Sequence, residues 1–262
     1  MSRINESLRP QVFVDEATDF SAVQLAALIE LSHPGLRSWF ACGDFKQRIT
    51  HTGIRSESEL LWIERVTAGH SIEVRSIGIS YRQSQRLKEL AEATDPDMVT
   101  LGRTEQTAYP DDPAPLLLEK AGSDSAFTWL ASRISEIELN LGRLPSIAIF
   151  VNGDDKIDAI VSAAKGPLRD VSIEIIGCPE GRSVGDEQEV RVFDIRHIKG
   201  LEFEGVFFLG LDDFAELEPE LFHRFLYVGI TRAATYLGIT CRGELPSRLV
   251  PVRSLFSLGG WS

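Results

Sequence analysis

Short apolar runs that end in polar or glycine-bearing turns, each followed by an amphipathic stretch, recur along this chain of 262 residues. Such runs suit strands buried on both faces and are too short for buried helices, so the alternation prescribes a parallel sheet flanked by helices. The clearest instance is the order Ile147–Val151, 154–164 and 173–177, which reads strand, helix, strand. Gln11–Val14, 39–42, an alternating 71–80, 190–195, 206–211 and 236–240 are the other expected strands. Helical periodicity is expected over 22–31, 57–67, 83–93, 123–140 and 218–234. Residues 95–121, rich in Pro, Asp and Thr, read as a loop or small excursion, and 181–188 as a polar turn. A domain boundary is expected near residues 70–78, which divides the chain into 1–74 and 75–262.

Composition narrows the class further. Hydrophobic residues make up 43% and charged residues 25%, the profile of a soluble globular chain. No apolar run approaches the ~20 residues that cross a bilayer, so no membrane partner is expected. The start, MSRINESLRP, has no apolar stretch behind its arginine and does not read as a secretory signal. Cys42, Cys178 and Cys241 are far apart and form no C-x-x-C pair, which fits buried small apolar residues of a reducing compartment and a cytoplasmic location. The net charge of -12 argues against a broad basic face that coats nucleic acid. A narrow basic groove inside an acidic shell is compatible with it.

Five short constellations carry the chemistry. The first strand delivers Asp15 and Glu16 at its C-terminal edge, where ligands of open α/β sheets bind. In nucleotide hydrolysis one such acid holds Mg²⁺ and its neighbour polarises the attacking water; alone, the pair reads rather as a solvated acidic turn. A second strand ends in Gly43-Asp44-Phe45-Lys46-Gln47, whose amide can hydrogen-bond a terminal phosphate. The third constellation is Tyr81-Arg82-Gln83-Ser84. The fourth is Arg196-His197-Ile198-Lys199-Gly200-Leu201-Glu202-Phe203, and the fifth is Tyr227-Val228-Gly229-Ile230-Thr231-Arg232-Ala233. A planar, permanently charged guanidinium suits charge developing on a transferring phosphoryl group, and singly each arginine reads as a surface salt bridge.

In this order, D-E-x-x-D, G-D-x-x-Q, Y-R-x-S, K-G-L-E-F and Y-V-x-x-T-R-A resemble motifs II to VI of UvrD/Rep-like superfamily 1 helicases, over residues 11 to 241. The resemblance implies an α/β fold in which a complete second RecA-like domain follows a remnant of the first. It implies an ATP-driven helicase or translocase acting on single-stranded nucleic acid, DNA in the first instance. Asp15 would then bind Mg²⁺, Glu16 would activate water, and Gln47 would sense the γ-phosphate beside Asp44. Arg82 and Arg232 would act as arginine fingers. Gly200 and Glu202 would meet the nucleotide, and Arg196 and Lys199 the strand. Tyr227 and His197 read as structural. A non-catalytic helicase-like subunit that holds nucleic acid or a partner protein is the alternative.

The departures are as informative as the matches. Thr18 stands where relatives carry glutamine, and Arg-Ile-Thr-His follows Gln47 where many carry stacking aromatics. Asp194 and Arg196 occupy the places of a family threonine and histidine. The phosphate-gripping G-x-x-x-x-G-K-[ST] loop has no counterpart, because the sequence contains no Gly-Lys dipeptide. With only fourteen residues ahead of Asp15, the P-loop half is expected upstream in the same gene or in a partner protein. The 116 residues between Arg82 and Lys199 leave no room for the large helical insertion of UvrD and Rep.

Overall fold

The computed structural model describes residues 7–47, 52–54, 56–67, 72–75, 83–94, 112–182 and 188–261. The chain divides into two compact units, Met1–Ile79 and Ser80–Ser262.

In the first unit, β1 (Gln11–Val14) and β2 (Ser38–Ala41) form a parallel pair in the register Gln11↔Ser38 to Val14↔Ala41. The strands alternate, so Val12, Val14, Trp39 and Ala41 face one way and pack with Leu25, Ala26 and Ile29. Those three residues line one stripe of helix α1 (Ala22–Ile29). Its start is fixed by a reciprocal cap: Gln24 N donates to Ser21 Oγ, and Ser21 N donates to Gln24 Oε1. Helix α2 (Glu57–Val66) adds Ile63, and Ile54 completes the small core. The opposite face of the pair carries Phe13 and Phe40, 69% and 56% exposed, with ring centroids 6.2 Å apart. Parallel strands are ordinarily covered on both faces, and among the described residues of this unit the face is bare. Of the expected strand at 71–80, only 72–75 lie among the described residues, and they carry no strand pairing.

The second unit is built on a six-stranded, wholly parallel sheet in the order β3-β8-β7-β4-β6-β5. Its strands are β3 (Leu116–Leu118), β4 (Ile147–Val151), β5 (Glu174–Gly177), β6 (Glu189–Asp194), β7 (Phe203–Phe208) and β8 (Ala233–Thr240). All five residues of β4 are buried, as an unbroken apolar run at the centre of a parallel sheet must be. The helices are α3 (Gln85–Ala93), α4 (Ser123–Leu141), α5 (Ile157–Arg169), α6 (Leu211–Leu217) and α7 (Phe222–Thr231). Helix α4 buries Phe127, Leu130, Ile134 and Ile137 against the sheet and stops at Gly142, whose φ of 69° few other residues adopt cheaply.

Three sequence expectations are corrected here. The expected loop 95–121, described from 112 onward, contains the edge strand β3, because Leu116–Leu118 pairs with β8 once the tertiary fold presents an edge. The expected helix 218–234 begins later, at Phe222, after a separate helix α6 (Leu211–Leu217) that the sequence reading did not anticipate, and its last residues belong to β8. Strand β7 begins at Phe203 rather than at 206, so Gly205 lies within it.

The connections define where a ligand would lie. After β4 the chain turns through α5 toward β5, whereas after β7 it turns the other way, through α6 and α7, toward β8. Adjacent strands whose exits diverge leave a crevice at their C-terminal ends, the place where open α/β sheets bind ligands. A cleft of about 460 Å³ occupies it.

Candidate functional site

The first unit positions the acid pair at the end of β1. Asp15 is exposed, and its Oδ1 accepts from Glu16 N at 2.8 Å and from the Cys42 thiol at 3.1 Å. Cys42, expected to be buried, is exposed because it lies at the open end of the strand pair, and chiefly its bond to Asp15 raises its pKa. Glu16 takes the left-handed conformation, φ 52° and ψ 41°, an uncommon state for a residue with a side chain. The turn is clasped to the one after β2: Ala17 N donates to Cys42 O at 2.8 Å, and Thr18 Oγ1 donates to Asp44 O at 3.1 Å. Thr18 is thus a buried tie between the two motif turns. Gly43 is needed at the contact, since a Cβ there would come within 3.0 Å of Thr18 N. Asp44 Oδ1 accepts from Lys46 N at 2.8 Å and starts the short 3-10 turn Phe45–Gln47 that carries Gln47. Asp15, Glu16, Asp44 and Gln47 are therefore brought to one end of the strand pair.

The second unit joins the fourth and fifth constellations. Arg232, only 7% exposed, follows the last turn of α7. Its Nη1 donates to Leu201 O at 3.3 Å, and its Nε lies 3.4 Å from Val228 O. The backbone repeats the link, because Phe203 N donates to Arg232 O at 2.9 Å. Gly200 turns the chain with φ 78°, and exposed Glu202 follows it at the entrance to β7. Lys199 is half-buried in the same turn, and Tyr227 is half-buried on α7. Arg82 lies outside the described residues. Its neighbour Gln83 is anchored through Nε2 to Ile230 O and Ala233 O, at 2.7 and 3.2 Å, beside the Arg232 turn.

At the C-terminal end of β6, Asp194 is buried and caps the 3-10 turn Ile195–His197. Its carboxylate accepts from Arg196 N at 3.1 Å and from Arg196 Nε at 3.1 and 3.0 Å. Asp194 thus holds Arg196 through both its backbone and its side chain. His197 is also placed: its Nε2 lies 3.2 Å from Asp154 Oδ2, in the turn after β4.

Sequence reasoning missed this Asp154–His197 pair and the charges along the neighbouring cleft. There Asp213 meets both Lys156, at 3.7 Å, and Arg242. The available signal was positional, since Asn152-Gly153-Asp154-Asp155 follows an apolar run just as Asp15-Glu16 does.

Residues 189–240, which span β6 to β8 and include both joined constellations, match the UvrD-like helicase C-terminal domain. No protein of curated function matches the sequence. Among solved structures, the chain is similar to the C-terminal domain of a possible DNA helicase from Lactobacillus plantarum WCFS1. The TM-score is 0.51 at 18% identity, covering 69% of this chain and 99% of that one. The segment from β6 to β8 thus resembles the UvrD-like helicase C-terminal domain, and the parallel sheet around it shares the fold of that solved C-terminal domain.

Proposed function

We propose that this chain is the C-terminal part of a UvrD/Rep-type motor, a helicase or translocase on single-stranded DNA that acts together with a P-loop-bearing segment or subunit. The reading rests on one observation above the others: Arg232 hydrogen-bonds Leu201 O, so K-G-L-E-F and T-R-A form one structural piece. A catalytic arginine needs a fixed base, and this contact supplies one. The division of the chain at 74/75 into a first-domain remnant and a second RecA-like domain belongs to the same proposal.

The residues of the first unit fit half of a Mg²⁺–nucleotide site. Asp15 offers an exposed carboxylate oxygen to a hard cation, and Glu16 sits beside it where a water would be polarised. ATP and Mg²⁺ would supply the transferable phosphoryl group and the charge that neutralises it. The phosphate cradle is the part that does not fit, since no Gly-Lys pair is present in the sequence. Gln47 and Asp44 would sense the phosphate, Glu202 and Gly200 would meet the nucleotide, and Arg82 and Arg232 would steady developing charge. Arg196 and Lys199 would meet the strand. The bare Phe13–Phe40 face supports the need for a further segment or subunit, because a covered parallel sheet is the stable arrangement.

The test is ATP hydrolysis by this chain, with and without single-stranded DNA, beside Glu16→Gln. Positioning supplies most phosphoryl-transfer catalysis, so the chain alone is expected to turn over at background. Added P-loop segment or subunit is expected to restore strand-stimulated turnover that Glu16→Gln removes. Turnover by the chain alone, lost in Glu16→Gln, would overturn the need for a second segment. Absence of turnover in the restored assembly would favour a non-catalytic helicase-like subunit.

A further inference from the structure

We propose that Asp154, Asp194 and His197 form a binding site for a divalent transition metal of the zinc type. One ligand atom from each residue lies within 4.8 Å of the others, close enough for a single ion to be reached by all three with small side-chain movements. The donors come from separate places in the chain, the turn after β4 and the end of β6 with its following 3-10 turn. The parallel pairing Val151↔Asp194 brings those places together.

The donor set selects the metal. An imidazole with two carboxylates suits Zn²⁺, which takes three protein ligands and leaves a fourth position open. Mg²⁺ prefers oxygen alone and retains its waters. Outer contacts already orient two of the donors, as they do around metal ligands generally. Glu180 N donates to both Asp154 oxygens, at 3.2 and 3.3 Å, and Arg196 N donates to Asp194 Oδ1 at 3.1 Å.

The backbone is shaped to bring the donors close. Gly153 has φ 124°, and Gly181 has φ 70°; a Cβ on Gly181 would meet His197 O at 2.7 Å. Asp194 is 3% exposed in its side chain, whereas Asp154 and His197 are 32% and 40% exposed, so an ion enters from solvent onto a buried anchor. Arg196 shares Asp194 through its Nε, but a carboxylate offers about four lone-pair directions. The arginine therefore competes with the metal for charge without filling the site.

The experiment is calorimetric titration of the whole chain with Zn²⁺, and separately with Mn²⁺ and Mg²⁺. The expected result is saturable 1:1 binding that prefers Zn²⁺ or Mn²⁺ over Mg²⁺. His197→Ala and Asp154→Asn are each expected to weaken it about tenfold or more, because even outer-shell partners are worth roughly 10–100-fold in metal affinity. Arg196→Ala, which removes the competing cation, is expected to bind at least as tightly as the unaltered chain. Circular dichroism of each variant separates lost ligation from lost folding. No binding of Zn²⁺ or Mn²⁺ up to about 1 mM, or equal affinity in correctly folded His197→Ala, would overturn the site. Binding that prefers Mg²⁺ and responds only to Asp15→Asn would overturn it too.

Discussion

Arg232 shows how one residue serves both stability and the proposed chemistry. Its guanidinium is buried and bonded to Leu201 O, so Arg232→Ala would leave a half-buried carbonyl without that donor at a cost of about 1 kcal/mol. In an assembly restored with its P-loop segment, the same change is expected to lower turnover roughly 10³-fold or more, the scale of a lost arginine finger. Arg232→Lys separates the two effects, because an ammonium keeps the charge and loses the fork. Thermal melting and turnover measured on both variants check this; full turnover in Arg232→Ala would remove the residue from the site. Cys241 makes a different residue-scale prediction. Burial, aided by the charges of Asp212 and Glu119, pushes its pKa up from 9.0 to about 12. A raised pKa means the unfolded thiol ionises first, so this contribution is whole below pH 9 and is lost as pH climbs toward 12. About 3 pH units at ~1.4 kcal/mol each set the loss at about 4 kcal/mol. Urea unfolding at pH 8 and pH 11 should show a steeper fall for the native chain than for Cys241→Ala. Equal falls would show that the thiol is not desolvated.

At the scale of elements, what was legible followed from how locally each element is determined. Strand β4 could be read from five apolar residues, and α1 from the spacing of Leu25, Ala26 and Ile29, since both signals lie within the element. Strand β3 was not legible, because three leucines in a Pro- and Asp-rich stretch become a strand only against β8. Helix α6 was not legible, because its seven residues closely follow an apolar strand and are too short to show a clear period, and Pro219 separates it from α7. The site was legible in the same uneven way. Motif strings singled out Asp15 and Arg232 as candidates, while the Asp154–His197 pair arises from a strand pairing that no local spacing records. Close packing of α7 and β8 on β7 gives this scale its prediction. A Cβ on Gly229 would lie 2.2 Å from Phe208 Cζ, and one on Gly238 would lie 2.4 Å from Phe207 Cδ1, both rings being buried. Gly229→Ala and Gly238→Ala are each expected to destabilise the chain by about 1–3 kcal/mol through overpacking, despite the better helix propensity of alanine at 229. Chemical denaturation measures it, and a neutral or stabilising Gly229→Ala would show that the ring moves aside freely.

The whole molecule carries a net charge of -12, and that charge constrains how it can hold a strand. A single strand bound through Z phosphate contacts loses affinity with salt at a slope of about -0.7Z in log–log form. If Arg196 and Lys199 are the cations that meet the strand, Z is about 2 and the slope is shallow, about -1.4. Arg196 is also paired with Asp194, so contact with a phosphate must compete with a buried carboxylate. That competition predicts modest affinity, with base or backbone contacts rather than charge providing most of it. Fluorescence anisotropy with a labelled single-stranded oligonucleotide between about 50 and 200 mM salt measures the slope. Arg196→Ala should flatten it by about 0.7, the share of one phosphate. A slope near -4 or steeper would require about six phosphate contacts, and thus a broad basic face, which contradicts a narrow two-cation contact inside an acidic shell.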